Sequence, residues 1–337
     1  MPEAPPSRSL PKTIFNSKDV FLLVKRLLSL LLALCLCCAP ALAEIERGPY
    51  YDQVFDTSDD GGLLTVRFIW LGPQVADDKP GDCMILTSPE GKIMVLDAGH
   101  PLAEEYVISA LDAMGVTRID YLVASHPHID HIGCFPALAE HYEIGTLYTS
   151  DLRYESSRYY RAYVEAFQQR GTPHIILAEG DTFNFGDSVI VQVFNPPAAI
   201  EYPEDYPRGS TQFINNQSLA LKFTYGDATL MLAGDLYSGG ERSVVERWGD
   251  ALDCDVMKAN HHGANTSSSS VWRSAVSPKI TVITSDTIED LSIARKYTKN
   301  GQQMYHTFLD GCIRLHATEE GEYAVLTEKE RTTTLFD

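Results

Sequence analysis

HPHIDH, residues 126 to 131, places three histidines and an aspartate in six positions of a 337-residue chain that holds ten histidines in all. It follows YLVAS (121–125), which reads as a short buried strand. In extended chain His126 and His128, two residues apart, point to the same side and can reach one point. As the chain turns toward a helix, Asp130 and His131 can reach a second point. Imidazole and carboxylate are ligands that suit zinc and related divalent ions. The hexapeptide reads as half of a two-metal site, and the other half must come from elsewhere in the chain.

Other predicted strand ends supply it. Strand 92–96 ends in Asp97-Ala98-Gly99, strand 228–234 ends in Asp235, and CDVMKAN (254–260) runs into His261-His262-Gly263. Five of the ten histidines thus lie in two loops. Asp97 reads either as a residue that orients a ligand or as a turn former. His100, His141, His174, His306 and His316 read as surface or packing histidines.

The rest of the chain alternates strands and helices. LTVRFIWL (64–71) is predicted as a strand, and CMILTSPEGKIMVLD (83–97) as a hairpin turning at Pro89-Glu90-Gly91. Helices are predicted over 102–114, ended by Gly115, and over 156–169. Strands follow at 188–194, 218–225, 228–235, 254–260 and 279–285, with helices around 244–248 and 289–299 and three short strands after them. This pattern suggests two sheets packed face to face with helices outside. Sites in such layered folds sit in loops at strand ends.

Residues 1–43 read as a signal peptide: Lys25-Arg26, an apolar run Leu27–Cys38, then Ala41-Leu42-Ala43. The run is shorter than the ~20 residues that span a bilayer. Residues 44–62 read as a polar lead-in, 63–330 as one large domain and 331–337 as a tail. The leader holds five basic and two acidic residues, so the remainder carries a formal charge of −22 against −19 for the whole chain. Such an acidic chain repels polyanions, and no stable nucleic-acid complex is expected. Cys83, Cys134, Cys254 and Cys312 are widely spaced without C-x-x-C, which suggests buried thiols with room for one bridge. Neither G-x-S-x-G nor a P-loop motif occurs.

HPHIDH resembles the H-x-H-x-D-H signature of the metallo-β-lactamase superfamily. GDCMILTSPEGKIMVLDAGH (81–100), NNQSLALKFTYGDATLMLAGD (215–235), DVMKANHHGANTSSS (255–269) and YHTFLDGCIRLHA (305–317) narrow the likeness. Together they resemble the hydrolase domain of ComEC-type competence (DNA-uptake) proteins and their free-standing relatives, over about residues 63–317. The resemblance implies a four-layer αββα sandwich with two divalent metals, zinc or manganese, at its edge. By position, His126 and His128 would bind the first metal, Asp130 and His131 the second. Asp235 would bridge, His262 would complete the second position with His261 facing substrate, and Asp97 would orient a ligand. Many superfamily members add a third histidine at the first metal. Here that strand ends in Phe194-Asn195-Pro196-Pro197, and Asn195 is a poor zinc ligand. His174 is a candidate replacement. QVADDKP (74–80) reads as an insert beside the site. The polytopic membrane region of ComEC proteins has no counterpart here, so a DNA channel is not expected.

The resulting expectation is a secreted, metal-dependent hydrolase, acting on a phosphodiester or other small ester through a metal-bridging hydroxide. Asp130 or Asp235 would take the proton and His261 would assist the leaving group. Asn216 and Ser218 would orient substrate oxygens or hold their own loop. The arginines and tyrosines of RYESSRYYRAY (153–163) would form a lid or an ordinary surface helix. A nuclease acting on extracellular DNA, a lactonase, and a non-catalytic metal-binding protein stand as alternatives.

Overall fold

A strand that is apolar on both faces must be covered on both. Leu230 and Leu232 of ATLMLA (228–233) face one way, Met231 and Ala233 the other, and all four are buried. The computed structural model describes residues 45, 47–73, 79–288 and 291–331, and satisfies this demand with two stacked sheets between helical layers. The leader, residues 74–78 of the insert and the tail beyond 331 lie outside the described residues.

The strands are β1 (Leu64–Phe68), β2 (Cys83–Thr87), β3 (Ile93–Ala98), β4 (Arg118–Val123), β5 (Glu143–Thr149), β6 (His174–Ile176), β7 (Thr182–Phe185) and β8 (Val189–Asn195). They continue with β9 (Ala220–Tyr225), β10 (Ala228–Ala233), β11 (Val256–Lys258), β12 (Ile280–Ile283), β13 (Gln303–His306), β14 (Ile313–Ala317) and β15 (Tyr323–Thr327). One sheet runs β15-β14-β1-β2-β3-β4-β5-β6, the other β13-β12-β11-β10-β9-β8-β7. The first is antiparallel up to β3 and parallel from β3 to β6. The second is antiparallel up to β10 and parallel from β10 to β13.

Three apolar layers follow. Val66, Leu86, Leu96, Leu221, Leu230 and Val282 pack between the sheets. Val107, Leu111, Phe135 and Phe167 cover the outer face of the first sheet, and Val244, Trp272 and Val276 that of the second. This is the expected αββα sandwich. Strands β5, β6 and β7 escaped the sequence reading because much of their length carries no apolar alternation: His174–Ile176 is exposed throughout. The four described cysteines are free and buried, so the bridge allowed for is not formed. No helix among the described residues is long and apolar enough to cross a membrane.

The stretch read as a polar lead-in carries the helix Tyr51–Phe55, whose Tyr51, Val54 and Phe55 are buried. Arg67 of β1, fully buried, ties it down. Its guanidinium donates to the Val54 carbonyl at 2.7 Å, the Asp56 carbonyl at 2.8 Å and both Asp60 oxygens at 2.9 and 3.0 Å. Arg67→Ala leaves buried Asp60 without its guanidinium, with only Thr65 and His316 against one of its oxygens, and is expected to cost about 3–5 kcal/mol in urea unfolding at neutral pH. The paired change Asp60→Ala with Arg67→Met leaves no orphan charge and should cost less. Equal losses for the two variants would contradict this account of the anchor.

Candidate metal centre

The parallel strands deliver the candidate residues at their carboxyl ends. Asp97 closes β3, the hexapeptide follows β4, Asp235 follows β10, and His261-His262 follow β11. The hexapeptide behaves as its spacing requires. Chain is extended at His128, and a single helical turn Ile129–Ile132 begins there, its amides of His131 and Ile132 donating to the His128 carbonyl at 3.1 Å.

Two clusters form. His126 Nε2 and His128 Nδ1 converge to 2.9 Å. On the other side, His262 Nε2 lies 3.5 Å from Asp130 Oδ2, and His131 Nε2 lies 3.8 Å from the same oxygen. Asp235 Oδ2 stands between the clusters, 3.2 Å from His131 Nε2, 3.3 Å from His262 Nε2 and 4.0 Å from His126 Nε2. The His262 Nε2 and Asp235 Oδ1 atoms are buried without a hydrogen-bond partner. Orphaned donors and acceptors of this kind, aimed at a shared point, fit divalent cations.

A second tier holds the imidazoles. Asp97 Oδ2 lies 2.8 Å from His131 Nδ1 and 2.7 Å from Ser125 Oγ, while its Oδ1 accepts from the Ser125 amide at 2.7 Å. Ser125 Oγ also meets His126 Nδ1 at 3.1 Å. Asp82, just before β2, does the same for the opposite sheet. Its Oδ1 lies 3.1 Å from His262 Nδ1 and accepts from Thr284, and its Oδ2 lies 2.5 Å from the buried ammonium of Lys258. Asp82, His131, Asp235 and His262 offer ligand atoms all within 4.8 Å of one another. The oxygens of Asp82 are already engaged, however, so it acts by aiming His262 Nε2 at the centre.

The backbone is forced into place. Asp97, His261 and His262 have positive φ of 58°, 48° and 53°. Such conformations cost of order 1–3 kcal/mol each and persist only where surroundings over-determine them. At Gly81 (φ +90°) a Cβ would lie 1.6 Å from the Asp130 carbonyl oxygen, so only glycine lets the Asp82 segment lie against the hexapeptide.

Charge is the dominant feature. Burial would raise Asp235 and lower His131 and His262, but mutual attraction wins: Asp235 is held well below the carboxylate range and both histidines well above theirs. His126 is pushed well down by burial and by His131. Burial lowers His261 to about 4, and its ring packs at a tilt against Tyr237, centroids 4.7 Å apart, with Nε2 3.9 Å from Asp235.

The geometry brings together His126, His128, Asp130, His131, Asp235, His262 and, behind them, Asp97. Three other candidates do not face the centre. Asn195 Nδ2 donates to the Asn216 and Ser218 carbonyls at 3.0 and 2.7 Å, and its Oδ1 accepts from Arg247 at 2.9 Å. Asn216 Oδ1 accepts from the Tyr237 and Gly240 amides at 3.2 Å. Ser218 Oγ accepts from the Asp235 amide at 3.0 Å. All three brace the Asp235 loop. His174, the candidate replacement, is taken by Thr149 at 2.8 Å on edge strand β6. His100 and His306 cap short helices, and His316 meets Asp60. Sequence reading missed Asp82 and Lys258. A lysine inside a short apolar parallel strand was the available signal, since a buried ammonium demands a buried carboxylate.

Asp82→Asn should therefore weaken metal binding by about 10–100-fold while leaving the ligand set intact. Competition against a chelator measures it, with circular dichroism as the folding control. Unchanged affinity would show that Asp82 does not orient His262.

A model of the metallo-beta-lactamase superfamily matches residues 76–284. Competence protein ComA of Neisseria gonorrhoeae is 29% identical over 233 residues, 66% of this chain and 30% of its own length. ComE operon protein 3 of Bacillus subtilis (strain 168) is 26% identical over 225 residues, 60% of this chain and 27% of its own length. The chain thus spans under a third of the length of these relatives. Among solved structures, a diphosphatase of the PhnP family aligns with TM-score 0.43 and 14% identity over 75% of this chain and 98% of that one. The diiron β-hydroxylase CmlA of Streptomyces venezuelae aligns with TM-score 0.46 and 13% identity over 77% and 54%. The superfamily match covers more than half of the chain and contains every strand end that carries a candidate ligand: the protein belongs to the metallo-beta-lactamase superfamily.

Proposed function

We propose that this protein is a two-metal phosphodiesterase. The observation that carries the reading is the position of Asp235 Oδ2 between the His126–His128 pair and the Asp130–His131–His262 group. When bound, two divalent ions lower the pKa of a water and neutralise charge on phosphoryl oxygens. His126, His128 and Asp235 would hold one ion, and Asp130, His131, His262 and Asp235 the other.

The charge balance favours an anionic substrate. Asp82, Asp97, Asp130 and Asp235 face a single buried lysine, Lys258. Two divalent ions more than offset that deficit and leave a slightly positive centre. Asp130, whose side chain is 19% exposed against 3% for Asp235, is the carboxylate placed to take a proton from attacking water. His261 is neutral near pH 7 with its Nδ1 against the Thr266 hydroxyl. With that hydroxyl donating to Nδ1, Nε2–H is free to hydrogen-bond the leaving oxygen.

The rim supplies aromatic surface. Tyr154 stands 6.0 Å from the His128 ring, and Tyr202, Tyr206 and Phe213 pack on one another at 4.9–5.7 Å. Tyr202 and Tyr206 hydroxyls bond to the backbone at Arg153, joining this cluster to the Tyr154 turn. Such a wall suits a choline-like cation or a base face. Arg158 and Arg161 of the following helix engage Tyr159 and the Glu155 carbonyl. The acidic surface disfavours long duplex DNA. The similarity to a competence protein supports a nuclease as the second reading. Residues 1–43 support secretion, which a mature chain beginning at Glu44 would show.

Zinc- or manganese-loaded protein is expected to hydrolyse bis-p-nitrophenyl phosphate and p-nitrophenyl phosphorylcholine, and to leave a cephalosporin intact. Asp130→Ala should lower that turnover by about 100–10,000-fold. Digestion of DNA at low salt with no action on the small diesters would favour the nuclease. Loaded protein that hydrolyses no member of a panel including a lactone would favour a metal-binding role.

A further inference from the structure

We propose that Arg247 is a positioning residue for Asp235, acting through Asn195 and Ser218 from the far end of the helix Ser238–Trp248. The inference rests on the two-metal reading above and deepens it. The place where many superfamily members carry a third histidine serves here to fix the bridging carboxylate from behind.

The contacts form a chain. Arg247 Nη2 donates to Asn195 Oδ1 at 2.9 Å. Asn195 is buried at the end of β8, and its Nδ2 donates to the Asn216 and Ser218 carbonyls at 3.0 and 2.7 Å. Ser218 Oγ then accepts from the Asp235 amide at 3.0 Å, and Asn216 Oδ1 accepts from the Tyr237 and Gly240 amides at 3.2 Å. Tyr237 opens the helix whose last turn holds Arg247, so helix and hydrogen bonds close a ring through the Asp235 loop. A second anchor fixes the guanidinium. Its Nε donates to Glu179 Oε2 at 2.5 Å and its Nη1 to Ser243 Oγ at 2.6 Å, while the Glu179 amide donates to the Pro196 carbonyl at 2.7 Å.

The residue types follow from the chemistry. A guanidinium only donates, so it draws the amide oxygen of Asn195 and leaves the NH2 group for the two carbonyls. An aspartate at 195 would set an oxygen against those carbonyls, and the two ring nitrogens of a histidine cannot serve three partners. The Arg247 and Glu179 side chains are 27% and 22% exposed, where an ion pair adds little stability. Their effect is on orientation. Asp235 Oδ2 sits 3.2 Å from His131, 3.3 Å from His262 and 4.0 Å from His126, and a displacement of about 1 Å at such a centre costs about 100-fold in rate.

The test uses the purified protein loaded with manganese(II). Chelator competition reads affinity, electron paramagnetic resonance reads the coupling of the two ions, and circular dichroism serves as the folding control. Wild type should hold two ions as an exchange-coupled pair. Arg247→Met should fold normally, bind manganese about 10–100-fold more weakly and show altered coupling at saturating manganese. Arg247→Lys, which keeps a donor without the fork, should fall between. Ser218→Ala should give the same kind of change, and the Arg247→Met, Ser218→Ala double variant should lose no more than the larger single loss. Asn195→His should also bind manganese more weakly than wild type. Unchanged affinity and coupling in Arg247→Met overturn this inference alone. So do additive losses in the double variant, or tighter binding by Asn195→His. Wild type that binds no metal overturns the two-metal reading and this inference with it.

Discussion

Four carboxylates crowd one end of the sandwich, and their mutual repulsion in a medium of low polarizability is what the surrounding structure must answer. Asp97 and Asp82 stand behind, Asp130 and Asp235 in front, and His131 and His262 lie between the rows with one ring nitrogen turned each way. The back row fixes which nitrogen faces forward. Lys258, buried in a strand of three residues, holds Asp82. Strained backbone at Asp97, His261 and His262 and the glycine at 81 are local costs of bringing the rows together.

The fold makes this crowding affordable by symmetry of construction. Each sheet changes from antiparallel to parallel pairing at the strand that ends in an aspartate, β3 with Asp97 and β10 just before Asp235. In each, the next strand ends in a histidine cluster. Parallel strands point their carboxyl ends the same way, so consecutive loops emerge side by side. Stacking the two sheets sets one aspartate–histidine pair of loops against the other. The apolar layer between the sheets, from Val66 to Val282, fixes that opposition.

Much of this was legible in the chain. HPHIDH, the aspartate after LMLAG and HHG stood out because ionisable residues at the ends of apolar strands are costly to bury without a purpose. Of the two neighbouring histidines, His262 lies 3.3 Å from Asp235 and 3.5 Å from Asp130, and His261 lies 3.9 Å from Asp235. What could not be read were groups whose meaning comes only from a distant partner. Asp82 meets His262 across 180 positions, and Asp60 meets His316 across 256. Asn195, read in the sequence as a poor zinc ligand, turns its amide to the Asn216 and Ser218 carbonyls and to Arg247, a role that only the folded loop reveals. Edge strands β6 and β7, short and largely exposed, carry no periodic signal for the same reason that they need none.

The central claim is that Asp235 stands between two metal positions. Anomalous diffraction at the manganese edge from crystals grown with manganese tests it most directly. The account predicts two peaks, one beside His126 and His128 and one beside Asp130, His131 and His262, with Asp235 contacting both. A single peak, or two peaks of which Asp235 touches only one, would contradict it.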